Sequence, residues 1–195
     1  MSIIHGEGIT AKIIEIDSPS LQLEQARIDG NKIVMCHGVF DLLHIGHLRH
    51  LSAAKKFGDI LVVSITADLF VNKGPNRPVF NQFLRAEALA ALEVVDFVLI
   101  TPGDTALGAL SFIRPDYYIK GGDYEDEKSD ATGNIQRERE AVESFGGVLR
   151  FTNEIVFSSS QLINEHLSTH SEEIKQWLKN LGTKFSLEEI LSWLD

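Results

Sequence analysis

Residues 32–47 read KIVMCHGVFDLLHIGH, and the change of character inside that run decides the fold. Lys32 to Cys36 is a short, apolar, partly β-branched run, as in a strand covered on both faces. A turn containing Gly38 and Asp41 follows, then His44, Gly46 and His47, where a helical pattern begins. That helix is predicted over residues 47–57. It ends Lys55-Lys56-Phe57-Gly58, with cations in the last turn and a glycine after it. A strand feeding through a glycine-containing turn into a helix is the first half of a βαβ unit.

The same alternation continues outward. Strands are predicted at ILVVSIT (60–66), DFVLIT (96–101), DYYIK (116–120) and GVLRFT (147–152), and helices over 82–93, 105–113 and 135–145. The expected fold is α/β: a Rossmann-like three-layer sandwich with a parallel sheet of about five strands, plus a C-terminal helical arm. Ligands of such sheets sit beyond the carboxyl ends of the strands. The residues that follow each strand are therefore the ones to read for chemistry.

Residues 1–30 read as a lead-in with one short helix after Ser18-Pro19, serine as cap and proline at the first helical position. The main domain is expected over 31–167. Residues 168–195 form an amphipathic arm or linker. Ile174, Trp177, Leu178 and Leu181 make one stripe there, and Leu187, Ile190, Leu191 and Leu194 another, with Gly182 between them and a Ser186/Glu189 capping box. Such stripes bury themselves on the domain, on a second copy or on a tethered neighbour.

The 195 residues are 44% hydrophobic and 24% charged, which supports a packed core and excludes a disordered or fibrous chain. The net charge of −10 argues against a dedicated nucleic-acid binder. The lone Cys36 excludes a disulfide framework. No apolar stretch approaches the ~18 residues of a membrane span. The opening MSIIHGEGITAK lacks signal-peptide regions, so the expected address is cytoplasmic, with no membrane partner.

His44 and His47 lie three apart, flanking Gly46, where a helix starts. A helix N-terminus offers free N–H groups and partial positive charge to phosphate. Two imidazoles there donate to oxyanions as charge develops. Gly46 lets a phosphate approach the backbone. The competing readings are a metal pair, weakened because no cysteine or carboxylate stands at ligand spacing, or unrelated surface histidines.

G-x-F-D followed by H-x-G-H after a strand resembles the cytidylyltransferase-like nucleotidyltransferase superfamily. The likeness runs through residues 30–166: Lys73-Gly74-Pro75-Asn76-Arg77-Pro78-Val79 after the second strand, Arg85 in the next helix, Lys120-Gly121-Gly122-Asp123-Tyr124 after the fourth, and Phe157-Ser158-Ser159-Ser160 before the last helix. Within the superfamily the series is most similar to the nucleotidyltransferase domains of ADP-heptose synthases and to glycerol-3-phosphate cytidylyltransferases. Asn153 stands where the cytidylyltransferase branch has an arginine, which favours the heptose-type branch, and with it ATP over CTP. The longer loop over 125–134 leaves the acceptor open.

The resemblance implies a nucleotidyltransferase moving a nucleotidyl group from ATP or CTP to a phosphorylated sugar or polyol, with release of pyrophosphate. His44, His47 and Lys73 are then the catalytic candidates. Gly38, Val39, Phe40, Gly46, Gly121, Gly122, Asp123, Ser158, Ser159 and Ser160 are the nucleotide-binding candidates. Asp41, Arg77, Arg85 and Lys120 are the substrate-binding candidates. Each has a plainer alternative: Asp41 a turn-former, Arg77 a surface charge, Arg85 a partner of a nearby acid, Lys120 a strand end, the serines N-caps. Mg²⁺ is expected on the triphosphate rather than on the protein. A homodimer or a tether to a further catalytic domain is expected as well. The rival functions are a non-catalytic nucleotide-binding module and one domain of a bifunctional sugar kinase/nucleotidyltransferase.

Overall fold

A computed structural model describes residues 10–16, 21–74, 77–122 and 134–152. The chain divides into two units, Met1–Ser159 and Ser160–Asp195, and the described residues all belong to the first. Ser18, Pro19, Asp123, Ser158, Ser159, Ser160 and the arm over 168–195 lie outside the described residues.

In chain order the elements are β1 (Ile13–Ile14), α1 (Leu21–Ile28), β2 (Ile33–Gly38), α2 (Ile45–Lys55), β3 (Ile60–Thr66), a 3₁₀ turn (Asp68–Phe70), α3 (Gln82–Ala90), β4 (Phe97–Thr101), α4 (Leu107–Ile113), β5 (Tyr117–Gly121), α5 (Asn134–Ser144) and β6 (Val148–Thr152). Among the described residues the strands form one six-stranded sheet in the order β1-β4-β3-β2-β5-β6. All the pairings are parallel. From β2 the chain steps through β3 to β4 on one side, then crosses back to place β5 and β6 on the other. The reversal between β2 and β5 is the topological switch point, where ligands of open α/β sheets bind.

The five strands expected from sequence are all present. The sheet gains a sixth, β1, from the stretch read as lead-in. Two residues are too few for periodicity to reveal. The strand exists because the edge of β4 offers it partners, Ile13 opposite Val98 and Ile14 opposite Leu99. Lys12 Nζ pins it by donating to the carbonyls of Leu92 and Val95.

The alternation along β2 builds both cores. Val34 and Cys36 face α2 and α3, packing with Leu51, Ala54, Ala86 and Leu89. Ile33 and Met35 face the other way, with Leu23 of α1, Ala109, Leu110 and Ile113 of α4, and Ile135 and Val142 of α5. The result is a three-layer sandwich. Each large aliphatic side chain buried here contributes roughly 1.5–3 kcal/mol. Burial also pushes the Cys36 thiol well above its usual range, so it acts as a small apolar filler. The turn from α5 into β6 passes so close to its neighbours that a Cβ on Gly147 would stand 2.3 Å from the Pro115 carbonyl oxygen. Among the described residues no helix is long and apolar enough to cross a membrane.

Candidate active site

The carboxyl ends of β2 and β5 are adjacent, Cys36 being in register with Ile119. This brings the loop after Gly38 beside Lys120, Gly121 and Gly122. The loop is tightly folded. Phe40 takes a left-handed φ of 49°, uncommon for a bulky residue. Its ring turns back over Gly38, where a Cβ would meet it at 3.1 Å, tighter than ordinary van der Waals contact. The Phe40 ring packs into the α2/α3 core and against His47, with centroids 5.1 Å apart.

His44 caps α2, an eleven-residue helix, with extended backbone, and its Nδ1 accepts from the Gly46 N–H at 3.1 Å. In the neutral ring that acceptor role leaves the proton on Nε2. The His44 and His47 rings stack with centroids 3.9 Å apart and planes 25° from parallel. His44 Nε2 and His47 Nδ1 are buried, and neither has a hydrogen-bond partner. Burial, aided by the charges of His44, His50 and Lys73, brings the His47 pKa down to about 4; burial also lowers His44. Both rings are neutral near pH 7. Two neutral imidazoles at a helix N-terminus, each with a ring nitrogen to offer, suit an oxyanion.

The far wall is built on Asp41, which is 4% exposed. Its carboxylate accepts from Arg77 Nε at 2.5 Å, the Val79 N–H at 2.6 Å and the Phe80 N–H at 3.3 Å. Asp41 thus ties the loop carrying Lys73 and Arg77 to the histidine loop. Arg85, 2% exposed, donates to the carbonyls of Phe80, Val39 and Thr66 and to Asp68 Oδ1. It joins three segments around the site from beneath. Lys73 is exposed on this loop, and its charge reaches His47.

On the opposite face of the sheet, Lys120 Nζ pairs with Glu138 Oε2 of α5 at 2.8 Å. The Glu138 carboxylate also accepts from the Tyr118 hydroxyl and the Ala106 N–H. Burial works against its charge, but Lys120 and these hydrogen bonds leave its pKa below the ordinary value. Beside Lys120, His37 Nδ1 bonds Ser64 Oγ at 2.7 Å, and burial with the Lys120 charge brings its pKa down to about 4. His50 reaches across from α2 to Thr152 Oγ1 at 2.8 Å, at the end of β6.

The structure brings together Gly38, Val39, Phe40, Asp41, His44, Gly46 and His47. Lys73 and Arg77 join them through the Asp41 wall, and Lys120, Gly121 and Gly122 through the β2/β5 pairing. Arg85 lies below the wall. Three polar residues of this region, His37, Glu138 and His50, were not among the sequence candidates. Glu138 had a signal, because helical spacing from Ile135 to Val142 places it on the inward face of an otherwise charged helix. His37 follows the predicted strand Lys32–Cys36, and only the β3 hydroxyls beside it reveal a role. His50 reads as a helix-surface residue until β6 is in place.

Residues 35–170 match the cytidylyltransferase-like family, and the chain belongs to it. Within that family its fold and sequence make this a nucleotidyltransferase domain. The bifunctional protein HldE of Geotalea uraniireducens is 37% identical over 163 residues, covering 83% of this chain and 32% of that protein. The bifunctional protein HldE of Campylobacter fetus is 46% identical over 125 residues, 62% of this chain and 26% of that one. The chain spans about a third of the length of the curated relatives it matches. Among solved structures, the lipopolysaccharide core biosynthesis protein from Thermoplasma volcanium is 25% identical with a TM-score of 0.53, over 66% of this chain and all of that one. Pantoate-beta-alanine ligase from Francisella tularensis, at 15% identity and a TM-score of 0.51 over 86% and 85%, shares the fold alone.

Proposed function

We propose that this domain transfers a nucleotidyl group from a nucleoside triphosphate, ATP before CTP, to a phosphorylated sugar or polyol. The observation that carries the reading is the stacked neutral pair His44/His47 at the N-terminus of α2, each ring with a buried nitrogen available to a ligand. An acceptor phosphate oxygen attacks the α-phosphorus and forms the new P–O bond. The bond from that phosphorus to the bridging oxygen breaks, and pyrophosphate leaves with the electron pair. The attacking oxygen is already anionic, so no protein nucleophile is needed, and the work is positioning and charge stabilisation.

In this reading His44 Nε2–H and His47 donate to the α-phosphate oxygens as negative charge grows there. Lys73 closes over the phosphates from its loop. Gly38, Gly46, Gly121 and Gly122 let the nucleotide approach the backbone. Asp123 takes the ribose or base, and Ser158, Ser159 and Ser160 the outer phosphates. Arg77 and Lys120 face the acceptor side, while Asp41 and Arg85 hold the walls in place. Mg²⁺ is read as arriving on the triphosphate, whose oxygens suit its preference for few protein ligands. That ion, when bound, supplies neutralisation of the triphosphate charge.

The catalytic domain is assigned to 31–167, with 168–195 leading to a dimer partner or a further catalytic domain, in the cytoplasm. The relatives' designation as bifunctional and the chain's one-third share of their length favour the tethered version. The test is pyrophosphate release from a matrix of nucleoside triphosphates and phosphorylated sugars and polyols. Turnover with ATP and one acceptor class is expected. His44→Ala and His47→Ala should each lower kcat by about 10²-fold, as for loss of an oxyanion donor. Tight nucleotide binding without release from any pair would make the domain a binding module instead.

A further inference from the structure

We propose that Glu138 is a positioning residue for the transfer: from α5 it fixes the Lys120 side chain at the side of the crevice opposite the histidine pair. The inference rests on the nucleotidyltransferase reading. Glu138 is 2% exposed although it stands in the run Arg137-Glu138-Arg139-Glu140. A buried carboxylate persists only when paired and hydrogen-bonded. Here two fixed donors, the Ala106 N–H at 3.1 Å and the Tyr118 hydroxyl at 2.9 Å, set its plane, and Lys120 Nζ at 2.8 Å is the third. Joining α5 to α4 and β5 needs only the first two.

The third contact holds a cation one residue before Gly121, with its side chain 13% exposed. Tyr118 supports it from the same strand, its ring centroid 5.5 Å from Nζ. Among the described residues, Cys36 and His37 on β2 are further titratable neighbours, and their pKa values feel the Lys120 charge. From β6, Thr152 Oγ1 contacts the Lys120 carbonyl, and it also bonds His50 of α2. Of these groups Glu138 alone brings negative charge to balance the ammonium near neutral pH. The imidazoles come from the α2 face and this cation from the α5 face, so the α-phosphate and the acceptor phosphate that attacks it meet donors from both layers.

The test uses Glu138→Gln, which preserves shape while removing charge. Without the carboxylate, a mostly buried ammonium gives up its proton more readily. The Lys120 Cε signal, assigned by its loss in Lys120→Met, is followed by ¹³C NMR from pH 7 to 11 without substrate. The KM for the phosphorylated acceptor is measured from pH 7 to 9.5. Lys120 should titrate at least one pH unit lower in Glu138→Gln than in the unaltered protein. The variant's KM should rise at least about twofold between pH 7 and 9.5, as a one-unit shift of an ordinary lysine implies, and adding Lys120→Arg, which stays charged, should flatten that rise. Unchanged Lys120 titration, or a KM that tracks the unaltered enzyme, would overturn the proposal.

If Glu138→Gln does not fold, the apolar pair Lys120→Met/Glu138→Met replaces it, since buried pairs exchanged for apolar residues commonly keep their fold. That pair should show a KM raised at least tenfold at every pH, and a normal KM would overturn the proposal. An unaltered enzyme that turns over no substrate pair would sink the transferase reading alone, because the NMR titration decides the Lys120–Glu138 coupling separately.

Discussion

Replacing Asp41 with alanine strips the far wall of its anchor. Asp41 is 4% exposed, and the Arg77 side chain it pairs with is 12% exposed. Removing one member of a buried ion pair costs about 3–5 kcal/mol, because the other charge is left in low dielectric. The Val79 and Phe80 N–H groups also lose their acceptor, at about 1 kcal/mol each. Val79 and Phe80 are half exposed, at 53% and 47%, so the freed loop swings toward water and recovers part of this. The net expectation is about 3 kcal/mol, or a fall in Tm of about 6–12 °C at 2–4 °C per kcal/mol. Asp41→Asn should lose less, since one amide oxygen still accepts from the two backbone donors. The assay is urea unfolding of Asp41→Ala, Arg77→Met and the double variant. A coupling energy of at least about 1.5 kcal/mol is expected between the two sites. A loss under about 1 kcal/mol in Asp41→Ala, or strict additivity in the double variant, would refute the wall as described. Lys73 rides on the same loop, so kcat should fall along with stability.

Acid should unfold the protein earlier than its carboxylates alone require. His37 binds its proton with a pKa of about 4 in the fold, against about 6.5 in the unfolded chain. Its folded value is the lower one, so its share of stability is complete above pH 6.5 and is lost as pH falls through 4, about 3 kcal/mol in all. Urea midpoints of the native protein should therefore drop between pH 6.5 and 4 more steeply than those of His37→Asn, and parallel curves would count against the burial of that ring. Gly147→Ala should destabilise by about 1–3 kcal/mol, because its Cβ would stand 2.3 Å from the Pro115 carbonyl oxygen and backbone on both sides must shift. A melting temperature within a degree of the native protein would show that this turn relaxes freely.

Much of the architecture was legible because hydrophobic period is local. ILVVSIT announces β3 with its actual bounds, and Gly38 through His47 marks the turn into α2. The polar residues with tertiary roles were harder to read. Arg85 was open between a substrate ligand and the partner of a nearby acid; its guanidinium meets Asp68 and, beyond it, the carbonyls of Val39, Thr66 and Phe80. No local pattern encodes that, since the carbonyl of Val39 lies 46 residues away in sequence. His37 stood just past the predicted strand and His50 within the predicted helix, and neither position carried a local sign of its tertiary partner.

By itself the sequence determined the strand–helix alternation, the family and the residue types of the histidine loop. Those depend on side-chain period and on residue types a few positions apart. Only the tertiary structure decided that β1 joins the sheet, that Asp41 binds Arg77, and that Glu138 balances Lys120 from the opposite layer. Those facts depend on which chain segments meet at the β2/β5 switch point. Burial there lowers the dielectric, so Asp41, Arg85 and Glu138 take their partners from distant segments.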